Sequence, residues 1–388
     1  MQLTIEQTLL EEIITAAASV LAKGRVLAAD DAAITLSARA GRVTASGTNR
    51  AQWIVRTVDA QVEKPGDVKV HGRDVVMLVG QFERGDVEVS VVDGHLVLAQ
   101  GDRQYRLFTI ACAEDERSFA VPVPADHDAV ALVTLASSDL RTLVNRTAFA
   151  VSTLDADKQA PFGGVLLEGR GGVLRAVSTN RHRLVRTDLA VPDGATAGVK
   201  AVVPVRPFEA ARRLKGPITI HVSADFIWFL GDGEQVVTTV QPGGDYPNIE
   251  HVLNAVGVVG AQAVQFVAAR TALVHSLERL SVVSRTTEEA IPGIVARVKM
   301  EVTAGMAMLS GADKQRGWGR ERVPLSEATV TGVFANEFNA ELVVGCLSRL
   351  AGESVRIGTK DADAPMVLTA DGDTATIMLV LPLRTMGA

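Results

Sequence analysis

Histidines, cysteines and carboxylates build most catalytic and metal sites, and the spacing of these residues in the chain assembles neither. The seven histidines, at 71, 95, 127, 182, 221, 251 and 275, form no His-x-x-x-His or His-Glu-x-x-His pattern that would aim two imidazoles from one helix face at zinc. Cys112 and Cys346 stand far apart with no Cys-x-x-Cys. They signal neither a zinc site nor a disulfide framework, and fit a reducing cytoplasm as small core hydrophobes. No Gly-x-x-x-x-Gly-Lys-Ser/Thr loop offers a phosphate cradle, and Gly231-Asp232-Gly233 reads as a hairpin turn. Asn145-Arg146-Thr147 matches a glycosylation acceptor, but the start Met1 to Glu6 lacks the basic flank and apolar stretch of a secretory signal. One hydrolytic arrangement remains, His182 with Asp155 or Asp188, and it has no apparent nucleophile. No metal and no cofactor is expected.

The frame that positions these side chains is repetitive. At 388 residues, 47% hydrophobic and 22% charged, the chain exceeds what one core needs, and its composition excludes disordered and collagen-like classes. No apolar run reaches the roughly 18 residues of a membrane span. Apolar helical stripes begin at Leu9, Leu140 and Leu273, about 131 residues apart, and a second helical pattern follows each. The spacing predicts helices over 6–22, 72–82, 137–149, 204–215, 268–285 and 336–350. Strands with period-two alternation follow Gly85, Gly216 and Gly352, and a strand-to-loop segment recurs as Gly47-Thr48-Asn49-Arg50, Ser178-Thr179-Asn180-Arg181 and Gly311-Ala312-Asp313-Lys314. Boundaries fall at Val121-Pro122-Val123-Pro124-Ala125 and around Asn254-Ala255-Val256-Gly257, giving domains 1–122, 123–254 and 255–388. The expected class is α+β, three tandem copies of a two-helix, antiparallel-sheet domain. Such an array leaves an open strand at each end, which a ring of two chains would close. Tyr105 and Leu107 in the run to Ile110 are assigned to one end of that interface. Val282 and Val283, with the run Ile294 to Val298, are assigned to the other.

Over essentially its full length the chain resembles the bacterial DNA sliding clamps, the beta subunits of the replicative DNA polymerase III holoenzyme. The resemblance is carried by the run Leu140 to Thr153 and by Thr179-Asn180-Arg181-His182-Arg183-Leu184, which is similar to the family's Thr-Asp-Gly-His-Arg-Leu turn. Asp245-Tyr246-Pro247-Asn248-Ile249 and Leu381-Pro382-Leu383-Arg384 add to it. The chain departs from the family where Asn180-Arg181 replaces Asp-Gly, and in the loop Asp155 to Phe162.

The resemblance implies the DNA clamp fold closing as a head-to-tail homodimeric ring around double-stranded DNA, whatever its sequence. It implies a non-catalytic processivity factor in the cytoplasm, associated with the nucleoid. A clamp loader would place it, and the replicative polymerase and repair enzymes would dock through a short peptide. The implied peptide pocket comprises Thr179, Arg181, His182, Arg183 and Leu184 from the turn, and Pro247 and Val252 from the segment that closes the middle domain. Leu381, Pro382, Leu383 and Arg384 join it from the C-terminus, and Phe162, His251, Asn339 and Leu342 from elsewhere in the chain. The DNA-facing set is Lys23, Arg25, Arg73, Arg141, Arg206, Arg212, Arg213 and Arg279. These belong to predicted helices and a loop whose positive bias is slight in a chain of net charge −6. Sliding needs weak, sequence-blind phosphate contact, so a slight bias suffices. A clamp-like ring that sequesters partners off DNA is the alternative this bias leaves open.

Overall fold

The apolar stripe Leu10, Ile13, Ile14 and Ala17 forms the buried face of helix α1 (Gln7–Ala18), as period 3.6 requires. It is followed by α2 (Gly72–Val79), α3 (Ser137–Thr147), α4 (Val205–Ala211), α5 (Ile249–Val256), α6 (Arg270–Ser284) and α7 (Ala340–Leu347). This computed structural model describes residues 1–21, 32–110, 121–152, 161–241, 246–256, 264–287 and 294–383. Two units emerge, Met1–Arg141 with Ala195–Val240 and Thr142–Gly194 with Gln241–Ala388.

The first unit holds two antiparallel sheets. One runs Gln61–Lys64, Gln2–Glu6, Asp86–Val92, His95–Gln100, Arg103–Phe108. In the other, Gly66–His71, Ala33–Arg39, Arg42–Thr48 and Gln52–Asp59 continue into Glu234–Thr239, Phe226–Gly231, Pro217–Val222 and Val130–Ala136. Hydrogen bonding therefore crosses from one copy of the repeat to the next where Gln52–Asp59 meets Glu234–Thr239. Leu10, Ile13, Val75, Leu96 and Leu98 form the core beneath α1 and α2. In the second unit, Arg183–Ala195 pairs with Thr376–Val380, and the sheet continues through Met366–Ala370, Ser354–Thr359 and Val264–Ala269 to Gly317–Thr329. The second junction repeats the first.

Three hairpin turns share one construction. Asn49 Oδ1 accepts from the Gln52 N–H at 2.9 Å, Asn180 Oδ1 from the Arg183 N–H at 2.9 Å, and Asp313 Oδ1 from the Arg316 N–H at 3.1 Å. These are side-chain turns of the kind Asn and Asp favour. Just before each, the copy's first helix closes on the strand. A Cβ on Gly47 would lie 2.1 Å from the Ala17 carbonyl oxygen and one on Gly311 would lie 2.8 Å from Ser284 Cβ, while Ser178 Oγ donates to the Thr147 carbonyl at 2.7 Å. Steric need thus keeps the residue small in every copy. Gly47→Val should cost more than about 3 kcal/mol, since backbone cannot retreat from the added carbons. Ser178→Ala should cost about 1 kcal/mol, one hydrogen bond. Urea midpoints of the two variants check the ranking.

Three expectations are corrected. The helix expected over 336–350 starts only at Ala340, because Phe334–Asn339 is a strand paired with Ile294–Thr303. The run Ile294 to Val298 is not an open edge: its strand also pairs with Arg285–Thr287 and Met306–Asp313, and Val295 and Val298 are buried. The first half of Gly317–Thr329, from Gly317 to Pro324, is an unpaired edge among the described residues, with Met306–Asp313 on one side only. Asn254 and Ala255, read as a linker, lie inside α5.

Candidate peptide cleft and cationic groove

α5 begins where Asn248 Oδ1 accepts from the His251 N–H at 3.2 Å, a cap that stops the extended segment at Pro247. Its Ile249, Leu253 and Val256 pack on Val177, Leu184, Val367 and Leu379. Charge fixes the outer face. Arg175 binds Asp188 through two nitrogens at 2.7 and 2.8 Å and also binds Glu250 of α5, which holds the Glu250 carboxyl below its ordinary range. The Tyr246 hydroxyl donates to the Val177 carbonyl at 3.0 Å, and burial pushes its pKa upward.

Between α5 and the strand ends at the 179–184 turn lies a cleft of about 180 Å³. Phe162, Leu184, Pro247, Val252 and Leu381 supply apolar lining, and Thr179, Arg181, His182 and Arg183 come from the turn. Pro365 and Leu379 also line it and escaped the sequence reading. Leu379, on the strand Thr376–Val380, is two residues before Leu381, so alternation carried past the strand end could have found it; nothing local marks Pro365. The Leu381 N–H donates to the His182 carbonyl at 2.9 Å, extending the ladder that sets the cleft wall.

Other expected members stand elsewhere. His251 is exposed on α5. Asn339 caps α7, its Oδ1 accepting from the Glu341 N–H at 3.1 Å, and Leu342 packs against the core of the second unit. The Leu383 N–H donates to the Glu337 carbonyl, and neither Pro382 nor Leu383 lines the cleft. Arg384, like Lys23, Arg25, Cys112 and Asp155, lies outside the described residues.

Arg183 and Arg181 shape the turn side of the cleft differently. The Arg183 guanidinium is buried, donates to the Phe149 carbonyl and stacks on the Phe149 ring at 4.6 Å, with Arg349 on the same ring at 4.1 Å. Burial pushes its pKa down. Nearby Cys346 is fully buried and its thiol is pushed up to about 12, so it stays protonated. Arg181 has φ +73°, a left-handed conformation that costs a non-glycine residue roughly 1–2 kcal/mol. Its N–H donates to Thr179 Oγ1 at 3.1 Å, and its guanidinium lies 4.8 Å from the Phe162 ring centroid. A cation is therefore fixed at the rim of an apolar cleft. Arg181→Gly relieves the backbone but loses the stack and loosens the unfolded chain, so the melting temperature should change little. Affinity should fall about tenfold for an acidic peptide and rise for a neutral one. Titration of both peptides decides it; agreement within about twofold would make Arg181 a surface residue only.

Three of the expected DNA-facing arginines converge. Arg141, Arg212 and Arg213, with Arg56, line a groove of about 650 Å³ that also holds Glu11 and Glu12. Arg206 sits with Asn49 and Gln52 around a neighbouring hollow, and Arg73 is exposed on α2. Arg279 is locally compensated: it binds both oxygens of Glu321, at 2.8 and 2.5 Å. The sequence reading missed Arg56. It is buried and pairs with Glu234 at 2.5 Å and with Glu12 at 3.5 Å, and burial raises the Glu234 pKa against the pull of Arg56. His182 is exposed and belongs to the turn that lines the cleft, and among the described residues no cluster of His, Cys, Asp and Glu could hold a metal ion.

Residues 1–117 match the family profile described as DNA polymerase III beta subunit, N-terminal domain, and residues 134–248 match that of its central domain. The beta sliding clamp of Caulobacter vibrioides is 23% identical over 363 residues, covering 90% of this chain and 91% of the relative. That of Pseudomonas putida is 24% identical over 329 residues, covering 83% of each. Among solved structures, a Pseudomonas aeruginosa sliding clamp bound to griselimycin superposes with a TM-score of 0.87 at 20% identity, over 99% of this chain and 100% of that one. The Bacillus subtilis clamp gives 0.86 at 17% identity over 99% of each chain.

Proposed function

The chain belongs to the DNA polymerase III beta-subunit family, and from that premise we propose that it is a DNA sliding clamp closing head to tail with a second copy around duplex DNA. It tethers the replicative polymerase and confers processivity without catalysing a reaction. The observation that carries the ring is the strand junction. It occurs twice within the chain, and the same two kinds of strand are left open at Arg103–Phe108 and at Gly317 to Pro324. A third junction between chains uses both edges, and a second copy completes the circle. Three domains supply the repeats, with the first boundary at 122/123 and the second moved from 254/255 to beyond the end of α5 at Val256. The apolar cleft with its cationic rim suits a short extended peptide that inserts one or two apolar anchors, shared in turn by the polymerase, a clamp loader and repair enzymes. The groove of Arg141, Arg212 and Arg213 supplies phosphate contact without base readout. The site of action is the cytoplasm, at the nucleoid.

Retention on DNA tests this reading. Loaded onto nicked circular duplex by a clamp loader, the protein should stay bound in high salt and be released when the circle is linearised. Equal release from circular and linear DNA would overturn it. Arg212→Ala with Arg213→Ala should leave dimer mass unchanged, lower the loaded fraction severalfold and reduce the salt slope by about one to two units. Undiminished loading in that variant would remove the groove from the DNA path.

A further inference from the structure

Both internal junctions pair the strand that follows the hairpin turn with the last strand of a neighbouring copy, in a single register. In the first, Arg56 stands opposite Glu234. In the second, Thr187 stands opposite Thr376. Their equivalence follows from the turns: the Asn49 N–H donates to the Gln52 carbonyl and the Asn180 N–H to the Arg183 carbonyl, each at 3.2 Å, and Arg56 and Thr187 each lie four residues beyond. In the third copy Gly311 stands opposite Gly319 as Gly47 stands opposite Ile54, which puts Glu321 in the place of Arg56. On the facing strand, Arg103 and Glu234 each open the strand after a two-residue turn, opposite Gln100 and Gly231. The two open edges therefore carry Glu321 and Arg103 where the first junction carries Arg56 and Glu234.

The neighbours are inverted as well. Glu12 lies 3.5 Å from Arg56. The residue in its place, Arg279, binds Glu321; each lies five residues before the helix position that meets the small strand residue, Ala17 or Ser284. Lys215, after α4, reaches Glu12 at 3.2 Å. Glu83, in the same place after α2, binds Arg103 at 3.1 Å. Four equivalent positions thus carry four opposite signs, while the second junction holds two threonine hydroxyls 3.5 Å apart at the corresponding pair.

We propose that this inverted charge quartet selects a second copy of the chain as the occupant of the open edges and fixes the pairing as Arg103 opposite Glu321. The inference rests on the ring reading above and specifies how the ring is closed. In this register Tyr105 stands opposite Gly319, which has no side chain of its own and leaves Leu280 and Val283 on that face. Arg106 stands opposite Trp318, whose indole is 77% exposed and offers its face to a cation. Complementarity also fixes polarity. Two Arg103 edges, or two Glu321 edges, set like charges directly opposite and repel, so face-to-face dimers are disfavoured and the head-to-tail one is favoured. An Arg103 edge that strayed to the first internal junction would meet Arg56, so the sign reversal also protects the chain from mispairing with itself.

Two paired variants test the proposal, Glu83→Lys with Arg103→Glu on one edge and Arg279→Glu with Glu321→Arg on the other. Either protein alone mismatches both junctions of its own ring. Its dimer dissociation constant should rise at least about a hundredfold, since like charges across an interface cost several kcal/mol. Mixed in equal amounts, the two match at both junctions and should dimerise within about tenfold of the wild-type affinity. Sedimentation of each protein and of the mixture reads this directly. If a paired variant melts early, Arg103→Glu alone, at a half-exposed side chain, should still weaken the dimer. A wild-type dimer with variants that dimerise as it does, or a mixture of folded variants that stays monomeric, overturns the inference and leaves the ring standing. A monomeric wild type at micromolar concentration overturns the ring and the inference together.

Discussion

Leu107→Asp is expected to turn the dimer into monomers and to abolish retention on circular DNA. Leu107 lies on the open strand Arg103–Phe108, opposite Leu96, and packs at the margin of the first unit's core. Its counterparts in the two internal junctions are Thr238 and Val380, both 0% exposed. A residue in this position is therefore sealed once the junction forms. An aspartate there must be buried without a partner or protonated, which costs several kcal/mol, and the ring contains the junction twice. The dissociation constant should rise by more than about a thousandfold. Trp318→Ala is the companion that leaves the fold alone, since the indole is 77% exposed while its counterparts Trp53 and Leu184 are buried. It should weaken the dimer without lowering the melting temperature. Light scattering at micromolar concentration reads both, and an unchanged mass for Leu107→Asp would sink the edge assignment.

Steric and periodic features were legible in the sequence; features that depend on distant pairing were not. The helix stripes could be read because one face of each helix is buried. The Gly47, Ser178 and Gly311 segment could be read because a helix carbonyl or side chain occupies the space a larger residue would need. α5 was missed although Asn248 caps it and Ile249, Leu253 and Val256 fall on one face, because Asn254-Ala255-Val256-Gly257 reads as a domain boundary. The run Ile294 to Val298 looks the same at an edge or inside a sheet, and only the partner strands Arg285–Thr287 and Phe334–Asn339 decide. Arg279 reads as a free cation until Glu321, 42 residues away, is folded against it. The cleft divides in the same way. The turn residues cluster because they are contiguous, whereas Pro365 joins them only through tertiary packing. Asn339, a polar residue preceding an apolar helix, is accounted for as a cap.

Leu381→Asp is expected to separate peptide docking from the ring. Leu381 is 41% exposed at the lip of the cleft, just beyond the strand Thr376–Val380, so an acid there leaves the core and both strand edges unchanged. Its effect falls on whatever enters the cleft. The remaining lining is apolar on the side of Phe162, Val252 and Leu379, and a peptide anchor seated against it would press its apolar surface on a carboxylate. That contact loses the leucine's burial and also strips water from the charge, together about 2–3 kcal/mol at a central anchor. Affinity for an apolar-anchored peptide should therefore fall about thirtyfold to a hundredfold. The dimer should keep its mass and remain on circular DNA after loading at raised loader concentration, while the polymerase held by it should dissociate after short stretches of synthesis. Peptide titration and product length measured on one preparation check the two halves separately. Wild-type peptide affinity would place docking elsewhere, and loss of dimer mass would mean that the C-terminal segment supports the fold as well as the cleft.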